Sequence, residues 1–131
     1  MKKPIIGITL DSEKKKTYSK FPWYALRENY LTSLTKFNAI PFPLLHEKKY
    51  IDDFCHLIDG LIITGGDFDI HPKLYKTNNT QSKNIKNKRT NFELNIFNKF
   101  FKYNKPILGI CGGAQLINAV SYTHLRAHET Q

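Results

Sequence analysis

The alternation of short apolar runs with longer amphipathic segments is the strongest constraint on how this chain can fold. Four runs have the length and β-branched content of buried strands: Lys3–Leu10, Ile40–Leu44, Leu61–Thr64 and Lys105–Ile110. Helical spacing of apolar residues follows each run, over Trp23–Phe37, Ile51–Ile58, 90–102 and from about Ala114. This order of elements predicts an α/β fold with a parallel sheet.

Local signals refine the predicted elements. Asn38 is a stop signal for the first helix. The prolines of Ile40–Leu44 predict a place near the sheet edge, because proline cannot donate to a strand ladder. The polar stretches 11–22 and 76–88 lack periodicity and are predicted to be loops.

Thr90 and Glu93 have the spacing of a capping box, which predicts Thr90 as the N-cap of the third helix. The carboxylate of Glu93 is then expected to reach back to the helix start. The residues that follow predict an apolar stripe facing the core, made of Phe92, Ile96, Phe97, Phe100 and Phe101.

A candidate nucleophile stands between the last predicted strand and the last helix. The segment Gly109–Gly113 has the Gly-x-nucleophile-x-Gly form of a nucleophile elbow, with Cys111 at its centre. Glycines permit the sharp turn, and the start of the helix favours the thiolate over the thiol. The N–H of Gly112 would then face a developing oxyanion. The alternative is a buried cysteine that only packs in a glycine-rich turn.

A second glycine pair, Gly65 and Gly66, follows the third predicted strand directly. A backbone without Cβ atoms can approach a substrate closely, so this turn could supply another oxyanion donor. A plain turn and a phosphate-binding loop are the alternatives. The carboxyl ends of parallel strands meet at one sheet edge, so the turn and Cys111 are predicted to form one site.

The motifs in combination resemble the γ-glutamyl-γ-aminobutyrate hydrolase family, the class I glutamine amidotransferase-like cysteine hydrolases also grouped as C26 peptidases. The resemblance extends from Lys3 to about Val120. It is carried by Asp59–Gly66, by Asp69–Pro72 with Tyr75, by Arg89 with Glu93, and by Lys105–Asn118. It implies a flavodoxin-like parallel sheet with helices on both faces, in truncated form.

The resemblance also implies an activity: hydrolysis of a γ-glutamyl amide through a thioester, without cofactor or metal. Cys111 would be the nucleophile, and the amides of Gly112 and of the Gly65–Gly66 turn would hold the oxyanion. Gln115 would help bind the glutamyl group. Arg89 is the second candidate for substrate binding, and Thr90 stands where the family often has Asp.

The family's general base and its orienting carboxylate, a His and a Glu, come well downstream of the elbow. The last residues, 121–131, do not continue the family pattern and are similar to a translated sequencing adapter. We therefore expect residues 1–120 to be the amino-terminal part of the domain and 121–131 to be a non-native tail. The chain itself is expected to be inactive or nearly so.

The remaining histidines are expected to carry no catalysis. His124 and His128 have the spacing of two metal ligands on one helical face, but a metal needs further ligands that nothing nearby supplies. His46 and His56 are read as ordinary surface or core residues, and His71 as a loop residue near the site.

Net charge and hydropathy limit the classes of partner that are expected for this chain. Net charge is +9, but lysines are scattered and only three residues are arginine, so nucleic acid is not expected as a partner. No apolar run is long enough to span a membrane, and no secretory signal is evident, which predicts a cytoplasmic protein without membrane contacts. The oligomeric state is left open, a homo-oligomer included.

Two other functions fit the same residues. The first is the glutaminase part of a biosynthetic amidotransferase, which shares the elbow. The second is a non-catalytic flavodoxin-like module that binds a phosphate at Gly65 and Gly66. The small-molecule substrate expected from the resemblance is a γ-glutamyl compound.

Overall fold

The computed structural model describes residues 2–14, 16–66 and 87–129. These residues contain six strands and four α-helices, with a short 3-10 turn at Lys48–Tyr50. The strands are β1 (Ile5–Thr9), β2 (Asp11–Glu13), β3 (Trp23–Ala25), β4 (Ile40–Leu44), β5 (Gly60–Ile63) and β6 (Ile107–Gly109). The helices are α1 (Glu28–Lys36), α2 (Ile51–Leu57), α3 (Asn87–Lys102) and α4 (Gly112–Glu129).

Four of the strands form the parallel sheet that the alternation predicts. Their order is β4-β1-β5-β6, and every pair is parallel. The chain moves from β1 to one side and then back across to β5 and β6, so right-handed crossovers place α1 on one face and α2 and α3 on the other. The fold is therefore α/β and flavodoxin-like, and β4 lies at the edge as its prolines predict.

The hydrophobic core lies between this sheet and the pair α2 and α3, with the start of α4 closing one end. Each fully buried aliphatic or aromatic side chain contributes about 1.5–3 kcal/mol to stability. Phe101 was expected in this core, but its side chain is 56% exposed and stacks on Phe97. The buried cluster includes Leu44, Ile58, Leu61, Ile63, Phe92, Ile96, Phe97, Phe100 and Leu116.

The segment after β1 differs from the prediction. Part of the expected loop, Asp11–Glu13, pairs antiparallel with Trp23–Ala25, which was expected to begin a helix. The aromatic residues of β3 favour extended backbone, and the helix begins only after Arg27, whose ψ is 137°. Helical spacing over 23–27 was therefore misleading, because Trp23–Ala25 pairs with the preceding strand β2 instead of beginning α1. Asn38 ends the helical segment as predicted, at φ 60°.

The capping-box prediction for Thr90 is wrong. α3 begins at Asn87, so Thr90 lies inside the helix, where its side chain is buried. The carboxylate of Glu93 turns away from the helix start toward Arg89 and Thr9. The predicted loop 76–88 lies outside the described residues up to position 86, and its last two residues are helical.

The last helix crosses the predicted domain boundary at 120. α4 continues through Ser121 to Glu129, and the expected foreign origin of 121–131 stays a prediction. Within the described ranges, no helix combines the length and apolar content needed to cross a bilayer.

Candidate active site

The turn between β6 and α4 holds Cys111 in a strained and open position. The backbone of Cys111 lies at φ 51°, in the left-handed region, and its side chain is exposed. Such a conformation costs a non-glycine residue about 1–3 kcal/mol and persists only where the surroundings enforce it. This is the geometry that a nucleophile elbow requires, and the sequence pattern predicted it.

Two glycines of the elbow are needed for close packing rather than for their dihedral angles. A Cβ atom at Gly113 would lie 1.9 Å from the carbonyl oxygen of Ile63. A Cβ at Gly109 would lie 2.7 Å from the carbonyl group of Gly113. The first turn of α4 is therefore pressed against the end of β5, and only glycine fits at either position.

The glycine turn after β5 lies directly beside the elbow. A Cβ atom at Gly65 would lie 2.8 Å from the Cβ of Cys111 and 3.2 Å from the carbonyl oxygen of Ile110. The amide of Ile110 also donates to the carbonyl oxygen of Ile63 at 3.0 Å, so the turn and the elbow are joined. The two motifs lie together, as their places in the sequence predict.

The backbone amides at this junction differ in availability. The N–H of Gly65 donates to the hydroxyl of Tyr30 at 3.2 Å, so it is already used. The N–H of Gly112 belongs to the first turn of α4, where helix amides have no carbonyl four residues earlier within the helix. The predicted oxyanion roles of Gly65, Gly66 and Gly112 stay predictions, with Gly112 best placed by its position in the helix.

Gln115 is exposed and lies one helical turn beyond Cys111, and its amide donates to the carbonyl oxygen of Cys111 at 3.0 Å. This backbone hydrogen bond places Gln115 one turn along the chain from the elbow. A role of Gln115 in holding a glutamyl group stays a prediction.

A buried cluster of polar side chains contacts the backbone of the glycine turn. The guanidinium of Arg89 donates to the carbonyl oxygen and the hydroxyl of Thr64, at 2.7 Å and 2.8 Å. Its Nε donates to Glu93 at 3.1 Å, and its Nη1 lies 3.5 Å from the carboxylate of Asp11. The hydroxyl of Thr9 donates to Glu93 at 2.6 Å and accepts from the amide of Thr64 at 3.0 Å.

Opposing effects act on the pKa of Glu93 in this cluster. Burial raises the pKa of Glu93, while the charge of Arg89 and the hydrogen bond from Thr9 lower it. The side chain of Arg89 has no exposed area, so it faces the turn rather than an open surface. Its predicted contact with substrate is not shown and stays a prediction, whereas its contacts with Thr64 and Gly65 position the turn.

Sequence reasoning missed this cluster. The spacing of Arg89 and Glu93, four residues apart on a helix, would have indicated an ion pair. Nothing local in the sequence indicates that Thr9, at the end of β1, and Thr64, directly after β5, complete it. The contacts form because the carboxyl ends of β1 and β5 are neighbours in the sheet.

A cavity of about 240 Å³ lies beside the glycine turn, and Cys111 is not among the residues that line it. It is lined by Asp11 after β1, by residues 25–27 and Tyr30 around the start of α1, and by Thr64–Gly66. Neither Arg27 nor Tyr30 was identified from the sequence, because their positions next to the turn depend on the tertiary fold.

The histidines within the described residues lie in other surroundings. The Nε2 of His46 is 2.9 Å from the carbonyl oxygen of Leu10, and the ring stacks on Phe92. His56 is exposed on α2. Across residues 2–14, 16–66 and 87–122, no three His, Cys, Asp or Glu side chains come close enough to hold a metal. His71, Asp69 and Tyr75 lie outside the described residues, as do the side chains of His124 and His128.

Several curated relatives are similar to this chain. A glutamine amidotransferase-like protein of Rickettsia prowazekii (strain Madrid E), RP404, is 44% identical over 122 residues, covering 90% of this chain and 43% of that protein. Protein NtpR of Enterococcus hirae is 30% identical over 95 residues, covering 71% and 39%. The γ-glutamyl-γ-aminobutyrate hydrolase PuuD of Escherichia coli is 25% identical over 118 residues, covering 88% and 45%. The chain spans less than half the length of these relatives.

The Peptidase C26 family matches residues 4–128. The match contains both turns of the candidate site and all four strands of the parallel sheet. The relatives' names place the family among glutamine amidotransferase-like proteins and γ-glutamyl hydrolases. Both the sheet topology and the extent of this match lead to the same assignment: the chain belongs to the Peptidase C26 family.

Proposed function

We propose that this chain carries the nucleophile of an enzyme that hydrolyses γ-glutamyl amides through a thioester on Cys111. The observation that carries the proposal is the exposed, left-handed Cys111 lying against the backbone of Gly65. A packing cysteine needs neither exposure nor strain. The name of the Escherichia coli relative, a γ-glutamyl-γ-aminobutyrate hydrolase, supports the substrate class.

The reaction divides into two transfers of the glutamyl group. The sulfur of Cys111 attacks the γ-carbonyl carbon, the C–S bond forms, and the C–N bond breaks as the amine leaves with a proton. Water then attacks the thioester, which releases glutamate and returns the thiol. In each step the carbonyl oxygen gains negative charge, and the amide of Gly112 faces that position. Removing one such donor costs about 3–4 kcal/mol of activation free energy.

Proton transfer is the part of this reaction that the described residues do not supply. A cysteine hydrolase needs a base that takes the thiol proton and later protonates the amine. Neither His46 nor His56 forms a hydrogen bond with Cys111 in the part of the chain that the structure describes. We therefore expect the 131-residue chain to bind and be alkylated at Cys111, but to release little glutamate from amides.

A second candidate function is the glutaminase step of an amidotransferase, in which the leaving amine is ammonia. It is favoured by the 44% identity to a glutamine amidotransferase-like protein. Both functions share the same thioester chemistry and differ in the group that leaves. They are distinguished by whether a synthase partner stimulates glutaminase activity.

The proposed function is tested with a chloromethyl ketone built on the γ-carbon of glutamate. Cys111 should displace chloride from this reagent much faster than from chloroacetone, which has the same reactive group without the amino-acid part. Mass spectrometry of the intact chain and its peptides locates the adduct. Cys111→Ser should lose the adduct entirely. Equal labelling by both reagents, after correction for their intrinsic reactivity, would show that no glutamyl site exists.

A further inference from the structure

The cavity beside the glycine turn lies where the strand order of the sheet reverses. The chain leaves β1 toward β4 and later returns past β1 to β5, so the carboxyl ends of β1 and β5 form the topological switch point. Open α/β sheets bind ligands in the crevice at this point. Asp11 follows β1 and Thr64–Gly66 follow β5, and both line the cavity.

The glycine turn separates this cavity from Cys111. The order β1, β5, β6 places the turn after β5 between the cavity and the elbow after β6. Gln115, the candidate for holding the glutamyl group, lies on the elbow side, on α4. A substrate whose amide carbon lies at Cys111, with its glutamyl part toward α4, would direct its amine component over Gly66 into the cavity.

The charges around the cavity favour an anion there. The carboxylate of Asp11 is engaged by Arg89 and by the amide of Ser12, at 3.5 Å and 2.9 Å. Arg27 is exposed and, among the described residues, no carboxylate forms an ion pair with it. Among the described lining residues, the guanidinium of Arg27 is thus the charge without an ion-pair partner, and its planar fork suits a carboxylate.

Cavity size limits the ligand to a small group. Sites for drug-sized ligands occupy about 300–1,000 Å³, and the cavity here measures about 240 Å³. Part of its lining is apolar, from Ala25 and Leu26. This combination fits a short aliphatic chain that ends in a carboxylate.

We propose that this cavity is the leaving-group subsite, and that Arg27 selects γ-glutamyl amides whose amine component carries a carboxylate. This inference rests on the proposed function and adds the class of amine that the site accepts. Arg27 acts on substrate choice and takes no part in the acyl transfer itself. Simple alkylamines and ammonia, as leaving groups, have no carboxylate that could pair with the guanidinium of Arg27.

The test compares two ligands of nearly equal length on the 131-residue chain by NMR titration. γ-Glutamyl-γ-aminobutyrate carries the carboxylate, and γ-glutamylbutylamide has a methyl group in its place. The unmodified chain should bind the first about tenfold more tightly, as a charge-assisted hydrogen bond provides. Arg27→Gln should abolish this preference, and Arg27→Lys, which keeps the charge but loses the planar fork, should keep only part of it. Lys36→Gln, at the other end of α1, removes a charge of the same sign and should leave the preference unchanged.

Each other outcome overturns the subsite. Equal binding of both ligands to the unmodified chain would show that the carboxylate is not recognised. An equal loss for both ligands in Arg27→Gln would place Arg27 against the glutamyl part instead. No binding of either ligand at about 10 mM, far above typical substrate affinities, would also overturn it. Selective labelling of Cys111 by the glutamyl chloromethyl ketone is independent of Arg27, so it shows separately whether the proposed function has failed.

Discussion

Gly65 lies so close to Cys111 that a Cβ atom on the glycine would be 2.8 Å from the Cβ of the cysteine. The contact joins the turn after β5 to the turn after β6, and the two turns reach it from neighbouring strands. The position of the sulfur is therefore set by the backbone of another strand as well as by its own turn. Substitutions that move either turn should change the reactivity of Cys111 before they change the sheet.

Gly113→Ala should destabilise the fold despite the better helix propensity of alanine. Alanine gains about 1 kcal/mol within a helix, but its Cβ would lie 1.9 Å from the carbonyl oxygen of Ile63, a backbone atom held in β5. We expect a net loss of about 3 kcal/mol or more in the free energy of unfolding, measured by urea denaturation. Gly60→Ala is the control, because its Cβ would lie 3.2 Å from the flexible end of the Ile6 side chain and at an ordinary 3.6 Å from the carbonyl oxygen of Pro106. Similar stabilities of the two variants would contradict the tight contact at Gly113.

Arg89→Met should be more damaging than the double replacement of Arg89 and Glu93 by methionine. The single variant leaves the carboxylate of Glu93 buried without its cation, which costs about 3–5 kcal/mol. The double variant removes that carboxylate, so we expect it to recover at least about 1 kcal/mol. Both are measured by denaturant unfolding, with Lys99→Met as a matched control.

The control removes another ion pair from the same helix. Lys99 pairs with Asp52 at 2.6 Å, but both groups are partly or largely exposed. Exposed pairs contribute about 0–1 kcal/mol. A double variant less stable than Arg89→Met alone would show that the remaining contacts of Glu93, such as that from Thr9, dominate.

Protonation of His46 should lower folding stability as the pH drops from about 7 to about 5, whereas Glu93, whose pKa is raised by burial, acts in the opposite direction. Burial lowers the pKa of His46 from its ordinary value of 6.5, and the charges of Arg89 and Lys88 lower it further, against the hydrogen bond to Leu10. The folded chain thus keeps the ring neutral while the unfolded chain takes up a proton below 6.5.

Thermal unfolding across this range, compared between His46→Gln and the exposed-histidine control His56→Gln, measures the contribution. The pH dependence should shrink in the first variant and persist in the second. An unchanged dependence in His46→Gln would assign the effect to other groups.

The sheet could be predicted from sequence because its strands are short apolar runs with turn residues at their ends. This pattern identifies the strands at Ile5–Thr9, Gly60–Ile63 and Ile107–Gly109. The β2–β3 pair could not be predicted, because Asp11–Glu13 is polar and the apolar residues after Trp23 also fit helical spacing. The start of α3 was placed too late because a good capping pattern at Thr90 occurs inside a longer helix.

The same distinction applies to the candidate site: some of its residues could be predicted from the sequence, and others could not. Cys111 and its glycines are identifiable because their spacing encodes the turn itself. The contacts of Arg89 with Thr64, and the places of Tyr30 and Arg27 beside the glycine turn, depend on which strands are neighbours. Contacts between strands that are far apart in sequence produce no periodic or local pattern in a single sequence. Residues that act through such contacts therefore cannot be identified from that sequence.

The central claim is that Cys111 is presented at an open, strained turn, and iodoacetamide labelling of the native chain tests it most directly. Cys111 is exposed and Cys55 is 2% exposed, so the two cysteines report two environments in one molecule. Peptide mass spectrometry should find Cys111 carbamidomethylated at neutral pH while Cys55 reacts only after denaturant is added. Protection of Cys111 in the native chain, or equal reaction of both cysteines before unfolding, would contradict the account.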